Sequence, residues 1–289
     1  MQIGVVFPTS EIGIEVGAVR AYALAAEELG YRHIVAYDHV VGVDPEVHKD
    51  WNGPVDVHTM YHEPLVLFGY LAALTSMELA SGVVILPQRQ TVLAAKQAAQ
   101  VDLLTGGKFR MGIGVGFVEV EFEALGQDFH TRGQRIEEQV TLMRRLWTEH
   151  SVTFEGEFDR ITGAGFAPMP LQRPIPVWMG AQSPRGYQRI GRVADGWFPL
   201  MSTGPRLDEA IQTVARAATD AGRDPADIGM EGRINWQNED QVAADLQKWR
   251  DAGATHVGIN TMYAGLKTFD DHLAAIAASA RAAKAFVAV

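Results

Sequence analysis

The chain has 289 residues, a formal net charge of −10 and no run of basic residues, which excludes the electrostatic footprint of a nucleic-acid binder. It has no cysteine, so disulfides, thiolate nucleophiles and cysteine-bound zinc are ruled out. The composition, 47% apolar and 21% charged, is that of an ordinary globular protein, and no apolar run approaches the roughly 20 residues of a membrane helix. With no signal peptide at Met1-Gln2-Ile3-Gly4, a cytoplasmic protein acting on a small molecule is expected, without nucleic acid or membrane as partner and with a homodimer left open.

Ile3 to Phe7 is a short apolar run closed by Pro8, as expected of a buried parallel strand. Val16, Val19, Ala23, Ala26 and Leu29 recur at helical spacing up to Gly30, which reads as a C-terminal cap. His33 to Tyr37 is the second strand, Leu65 to Leu74 an apolar helix, and Ser81 to Leu86 the third strand, stopped by Pro87. A helix marked by Ala94, Ala98, Val101 and Leu104 ends at Gly106-Gly107, and strand four follows over Phe109 to Val115. A long helix then carries Ile136, Val140, Met143 and Leu146 on one face. Strand five is Pro176 to Met179, strand six Gly196 to Phe198, strand seven Ile228 to Ile234 and strand eight His256 to Asn260. Helices are expected over Leu207–Ala218, Val242–Trp249 and Phe269–Val287.

About eight strands alternating with helices imply parallel strands and right-handed crossovers. An open doubly wound sheet would show a glycine-rich turn after strand one, and Phe7-Pro8-Thr9-Ser10-Glu11 is not that turn. The expected fold is therefore an α/β protein, a (β/α)₈ TIM barrel over residues 1–289 as a single domain. Two inserts interrupt it: Gly42 to His62 after strand two, and Ser151 to Arg173, whose Val152 to Phe158 looks like a small hairpin. Long inserts of this kind tend to be lids or binding loops.

Chemistry in a barrel gathers where strands end. Strand two ends in Asp38-His39, and His39 is either a proton donor and acceptor or a rim histidine bonded to nearby backbone. Strand four ends in Gly112-Ile113-Gly114-Val115-Gly116, whose alternate glycines either leave room for a flat ring or let small residues pack tightly. Strand five runs into Gly180-Ala181-Gln182, followed by Ser183 as N-cap and Pro184 in the first turn. Bare N–H groups there suit an anion, and a plain capped helix is the other reading. Trp51, Met60, Tyr61 and Trp178 are candidates to line a pocket. His58 and His62 have a metal-compatible spacing but no third ligand nearby, and no Gly-x-Ser-x-Gly turn supports a serine hydrolase.

Four segments resemble one family. They are Ala21 to Tyr31 with Asp38-His39; Gly82 to Pro87 with Lys96-Gln97; Leu103 to Phe109 with the glycine strand and Glu121 to Gly126; and Pro176 to Ala181 with Ala194 to Trp197. In these the chain resembles the luciferase-like monooxygenase superfamily, specifically its actinobacterial branch of deazaflavin (coenzyme F420) oxidoreductases. The resemblance implies hydride transfer between reduced F420 and an organic substrate, with an FMN-dependent monooxygenase as the alternative. It places a planar ring against the ends of strands two to four, with Asp38, His39, Val83, Val84, Ile85, Gly114, Val115 and Gly116 around it. The phosphate-bearing tail would meet Gly180, Ala181 and Gln182. It also implies a non-prolyl cis peptide bond at Val83-Val84 or Val84-Ile85, and proton transfer assisted by His39. One position departs from the family's sugar-phosphate dehydrogenases: Phe117 stands where they carry a glutamate, so an apolar or aromatic substrate is expected. A non-catalytic flavin-binding protein and a metal-dependent hydrolase are the remaining alternatives.

Overall fold

The structure, a computed structural model, describes residues 1–286. Eight parallel strands close into a barrel with helices between them, as the alternation predicts. The wall begins with β1 (Gln2–Val6), β2 (His33–Ala36), the two pieces β3 (Glu78–Ser81) and β4 (Val84–Ile85), and β5 (Phe109–Gly114). The antiparallel hairpin of β6 (Val152–Glu155) and β7 (Arg160–Ala164) stands outside it. β8 (Val177–Ala181), β9 (Gly196–Pro199), β10 (Gly229–Asn235) and β11 (His256–Asn260) complete the ring. β1 pairs with both β2 and β11, and Leu79 opposite Phe109 joins β3 to β5.

The helices are α1 (Val16–Glu28), α2 (Pro64–Leu71), α3 (Thr91–Leu104), α4 (Glu119–Ala124), α5 (Arg132–Thr148), α6 (Pro184–Val193), α7 (Pro205–Asp220), α8 (Glu239–Asp251) and α9 (Phe269–Ala283). The expected end of the last helix at Val287 lies outside the described residues. None of the described helices is long and apolar enough to cross a membrane. Between wall and helices runs a continuous apolar layer, to which Phe109, Met111 and Val177 contribute from strands and Phe68, Leu146 and Trp147 from helices.

Two sequence expectations change. Ser81 to Leu86 is not one strand: β3 and β4 are separated by a non-prolyl cis peptide bond between Gly82 and Val83, one residue before the earlier of the two expected positions. A cis bond brings consecutive Cα atoms to about 2.9 Å, and a residue without a side chain relieves the crowding. Gly82 also has no room for one, since a Cβ there would stand 2.4 Å from Val35 Cγ1. The short helix α4 was not anticipated at all.

Inside the barrel, the floor is ionic. His33 Nε2 lies 2.8 Å from Glu231 Oε1, Arg110 Nη1 donates to Glu231 Oε2 at 2.9 Å, and Arg110 Nε donates to Glu78. The Arg110 guanidinium sits 4.3 Å from the centre of the Trp178 ring, and His256 meets that ring edge-on at 5.1 Å. These side chains fit because neighbouring strands carry glycine: a Cβ at Gly4 would reach within 2.4 Å of His33, and one at Gly196 within 2.3 Å of Trp178. Burial pushes the Glu231 carboxyl up, but His33 and Arg110 pull it further the other way, to about 2. Burial and the adjoining charges of Arg110 and His33 hold His256 down at about 3.

A folded value below the ordinary 6.5 means that the unfolded chain binds the His256 proton more readily. His256 therefore adds stability that is complete above pH 6.5 and is lost as the pH falls toward 3. The melting temperature is expected to fall from pH 6.5 downward, and His256→Asn to flatten the first part of that fall, above the carboxylate range. The change corresponds to one proton, up to about 1.4 kcal/mol per pH unit, read from denaturant titrations at a series of pH values.

Candidate active site

At the carboxyl ends of the strands a cavity of about 550 Å³ opens, within the roughly 300–1,000 Å³ common for small-molecule sites. Asp38, His39, Val83, Ile85, Gly114, Val115, Gly116, Gly180 and Gln182 all line it. Val84 and Ala181 do not. Side chains of a strand alternate between its faces, so Val84 beside Ile85 in β4 and Ala181 beside Gly180 in β8 turn into the wall. Val84 is fully buried there, and the Ala181 Cβ packs under α6, only 2.6 Å from where Gly186 would carry a Cβ.

The glycine strand makes room, but first for a side chain of the chain itself. A Cβ on Gly114 would stand 2.6 Å from Val83 Cγ2, and one on Gly180 would stand 3.3 Å from Val83 Cγ1. Val83 thus leans across two bare strand ends and forms the back of the cavity. Gly112 faces the Ser81 carbonyl, 1.8 Å from an ideal Cβ, so its missing side chain serves the wall. Gly116 has φ +74°, where side chains are disfavoured, and a Cβ would meet Ile85 at 2.6 Å.

His39 is held from behind. Its Nδ1 lies 3.2 Å from both carboxylate oxygens of Glu121, on α4, and its side chain is 13% exposed. Glu121 is fully buried and also accepts from the Val40 N–H at 2.8 Å and from the Gln88 amide at 3.2 Å. Burial raises its carboxyl, but His39 and then the Gln88 and Val40 donors outweigh that and hold it below the ordinary carboxylate range. An ionised carboxylate only accepts, so Nδ1 carries the proton and Nε2 is the nitrogen left for the cavity. Tyr61 and Phe117 meet the imidazole edge-on, with ring centres 4.8 and 5.8 Å away. Phe117 is half exposed and sets an aromatic edge against His39 at the cavity.

Asp38 has a different task. Its Oδ2 accepts from the Ile85 N–H at 3.1 Å and from Arg89 Nη1 at 2.7 Å, while Oδ1 accepts from Arg89 Nη2 at 3.1 Å. Both oxygens of this buried carboxylate are occupied in tying β2 to β4 and to the start of α3. At the other side of the cavity, Ser183 caps α6 by accepting from the Gly186 N–H at 3.3 Å, with Pro184 in the first turn, as its sequence implies.

The insert after β2 contributes Pro54, Val55 and Tyr61 to the cavity wall and is pinned by buried Val43 and Val55. The hairpin insert contributes nothing to that wall. His58 and His62 are not brought onto one metal: His62 Nε2 lies 3.3 Å from the Gly13 carbonyl, and no cluster of three metal-ligating side chains occurs among the described residues. Of the aromatic candidates only Tyr61 reaches the cavity, while Trp178 lies in the barrel floor. Sequence reasoning left Glu121 unplaced and missed Gln88, Tyr37 and Arg233. A signal for Glu121 was present: Val118, Glu121, Phe122 and Leu125 follow a 3–4 helical spacing that puts the acid on the inward face.

Comparison with known proteins agrees with this architecture. Residues 1–285 match the luciferase-like monooxygenase family. The chain belongs to that family. It is 29% identical over 269 residues to the uncharacterized protein Rv0953c of Mycobacterium tuberculosis, covering 89% of this chain and 90% of the other. Among solved structures, the luciferase-like fold superimposes on monooxygenase RslO1 from Streptomyces bottropensis with a TM-score of 0.82, 21% identity and complete coverage of both chains. It superimposes on an F420-dependent secondary alcohol dehydrogenase, in complex with an F420-acetone adduct, with a TM-score of 0.79 and 15% identity, covering 98% of this chain and 99% of that one.

The Asp38–Arg89 pair makes this luciferase-like site testable without any ligand. Removing Asp38 leaves the Ile85 N–H without its acceptor and Arg89 with Glu63, at 3.3 Å, as its remaining carboxylate partner. Asp38→Ala is expected to lower unfolding stability by roughly 3 kcal/mol, measured by urea titration, through the loss of this tether.

Proposed function

We propose that the chain is a deazaflavin (F420)-dependent oxidoreductase that moves a hydride between the reduced cofactor and an apolar or aromatic organic substrate. The observation that carries this reading is His39, fixed at Nδ1 by a buried carboxylate and presenting Nε2 to a cavity walled by Val83, Ile85, Phe117 and Phe198. A flat apolar ring fits this wall chemistry. The ends of β2, β4 and β5 would hold the ring, with Val83 behind it. Gly180, Gln182 and the capped start of α6 would take the phosphate-bearing tail, since a helix N-terminus offers N–H groups to an anion.

When bound, the reduced deazaflavin supplies a hydride and, having carbon in place of N5, activates oxygen poorly. The chain's own part is the proton. As an imidazolium, His39 donates from Nε2 to the substrate oxygen that gains negative charge; in the reverse direction it takes that proton back. Glu121 keeps the ring oriented and stabilises the imidazolium from the Nδ1 side, the role of the third member in nucleophile–base triads. Tyr61 and Phe117 exclude water beside the imidazole. Proton transfer of this kind contributes about 10²–10⁴-fold.

An FMN-dependent monooxygenase is the alternative, favoured by the family's description and by the likeness to RslO1. Titration of the pure protein with each cofactor separates the two, read as fluorescence quenching. Submicromolar F420 binding with FMN at least about tenfold weaker is the expected result; tight FMN binding with no response to F420 reverses the choice. With the bound cofactor, His39→Ala is expected to leave folding intact and to lower turnover by about 10²–10⁴-fold. Glu121→Gln is expected to lower kcat by roughly 10²-fold with little change in KM, because the histidine loses its tautomer control. Unchanged kcat in both variants would remove this pair from the chemistry.

A further inference from the structure

Four side chains with acid or base groups in the physiological charge range line the cavity: Asp38, His39, Glu231 and Arg233. Three are answered. Asp38 is paired with Arg89, His39 with Glu121, and Glu231 with both His33 and Arg110. Arg233 meets no carboxylate among the described residues. Its side-chain hydrogen bond runs from Nη1 to the Tyr37 hydroxyl, at 3.4 Å, and the residue is exposed to the open cavity. It stands on β10, its backbone in register with Gly258 of β11.

The Tyr37 hydroxyl completes the pattern. It accepts from Arg233, which leaves its own proton to donate, and no acceptor for that proton occurs among the described residues. Burial outweighs the nearby Arg233 and raises the Tyr37 hydroxyl above its ordinary value, so it keeps the proton at neutral pH. Two donors therefore stand side by side, one of them a planar guanidinium fork, in a cavity whose lining also includes the apolar and aromatic Val6, Val35, Tyr61 and Phe198. That fork matches a carboxylate, which it can bind through two parallel N–H···O bonds. The molecule as a whole carries −10, yet among the charged side chains lining this cavity Arg233 is the one with no oppositely charged partner among the described residues, which leaves its fork available to an anion.

We infer that Arg233 and Tyr37 form a carboxylate-recognition subsite, and that the substrate is an aromatic or apolar molecule bearing a carboxylate. The inference rests on reading this cavity as the substrate site. The carboxylate is an anchor outside the reacting centre: it orients the substrate's body between Tyr61 and Phe198 and is neither made nor consumed.

The test uses 2-naphthoate and its uncharged isostere 2-naphthamide as probes, titrated calorimetrically into the full chain. The wild type is expected to bind naphthoate at least about tenfold tighter than naphthamide, the scale of a hydrogen bond to a charged group. Arg233→Met should bring the ratio close to one, and Arg233→Lys should keep part of it, since charge survives and the planar fork does not. An unchanged melting temperature in both variants excludes misfolding as the cause. Equal affinities in the wild type, no binding of either probe, or a preference that survives Arg233→Met would each overturn the proposal. F420 and FMN titrations of Arg233→Met supply the remaining arm. Weakened cofactor binding with naphthoate selectivity intact would assign Arg233 to the cofactor's anionic tail instead. Failure of the wild type to bind either cofactor, with naphthoate selectivity intact, would overturn the cofactor reading and leave the carboxylate subsite standing.

Discussion

Glu121 is a carboxylate enclosed on every side, and its burial sets the state of the residue it holds. Three donors converge on it, from His39, from the Val40 backbone and from Gln88. They come from β2's end and from the turn leading into α3, and Glu121 itself comes from α4, so the site requires three separate connections to arrive together. Those donors oppose the rise that burial imposes on the carboxyl, and so keep it able to fix which imidazole nitrogen bears the proton. The orientation of His39 is thus a product of tertiary packing.

Charge is compartmented along the barrel axis. The floor holds His33, Glu78, Arg110, Glu231 and His256 in a mutually compensating group, closed by the Trp178 ring. Above it lie the small apolar residues Val6, Val35 and Ala80, and Val6, Val35 and the edge of the floor at Glu231 face the cavity. The tether from Asp38 to Arg89 acts similarly at the wall, removing one anion from the balance while joining β2 to β4.

Much of the fold was legible because parallel strands buried on both faces read as short apolar runs, and because Pro8, Pro87, Gly30 and Gly106-Gly107 punctuate them. The exception is the third strand: the apolar run after Gly82 draws the expected strand to Ser81–Leu86, whereas the backbone puts β3 before Gly82 and only Val84–Ile85 after it. Nine of the eleven candidate lining positions reach the cavity; alternation within β4 and β8 turns Val84 and Ala181 away, whereas beyond the strand ends consecutive residues such as Asp38-His39 and Val115-Gly116 both face it. The role of Asp38 was not legible. Adjacency to His39 suggests a shared task, whereas Arg89, its partner, lies 51 positions away. Arg233 escaped for the opposite reason: nothing near it in sequence distinguishes an arginine whose partners are absent from one on an ordinary solvated strand.

Val83 stands with its two methyls over Gly114 and Gly180, so the rear surface of the cavity is a single side chain resting on strand ends that have none. Depth and curvature at that point therefore belong to one position and not to the backbone of three strands. A barrel so constructed can be made deeper or shallower by a methyl group at a time while its hydrogen-bonded wall stays as it is. Divergence among related chains in the ring or body they accommodate has, in this position, a route that leaves the architecture intact.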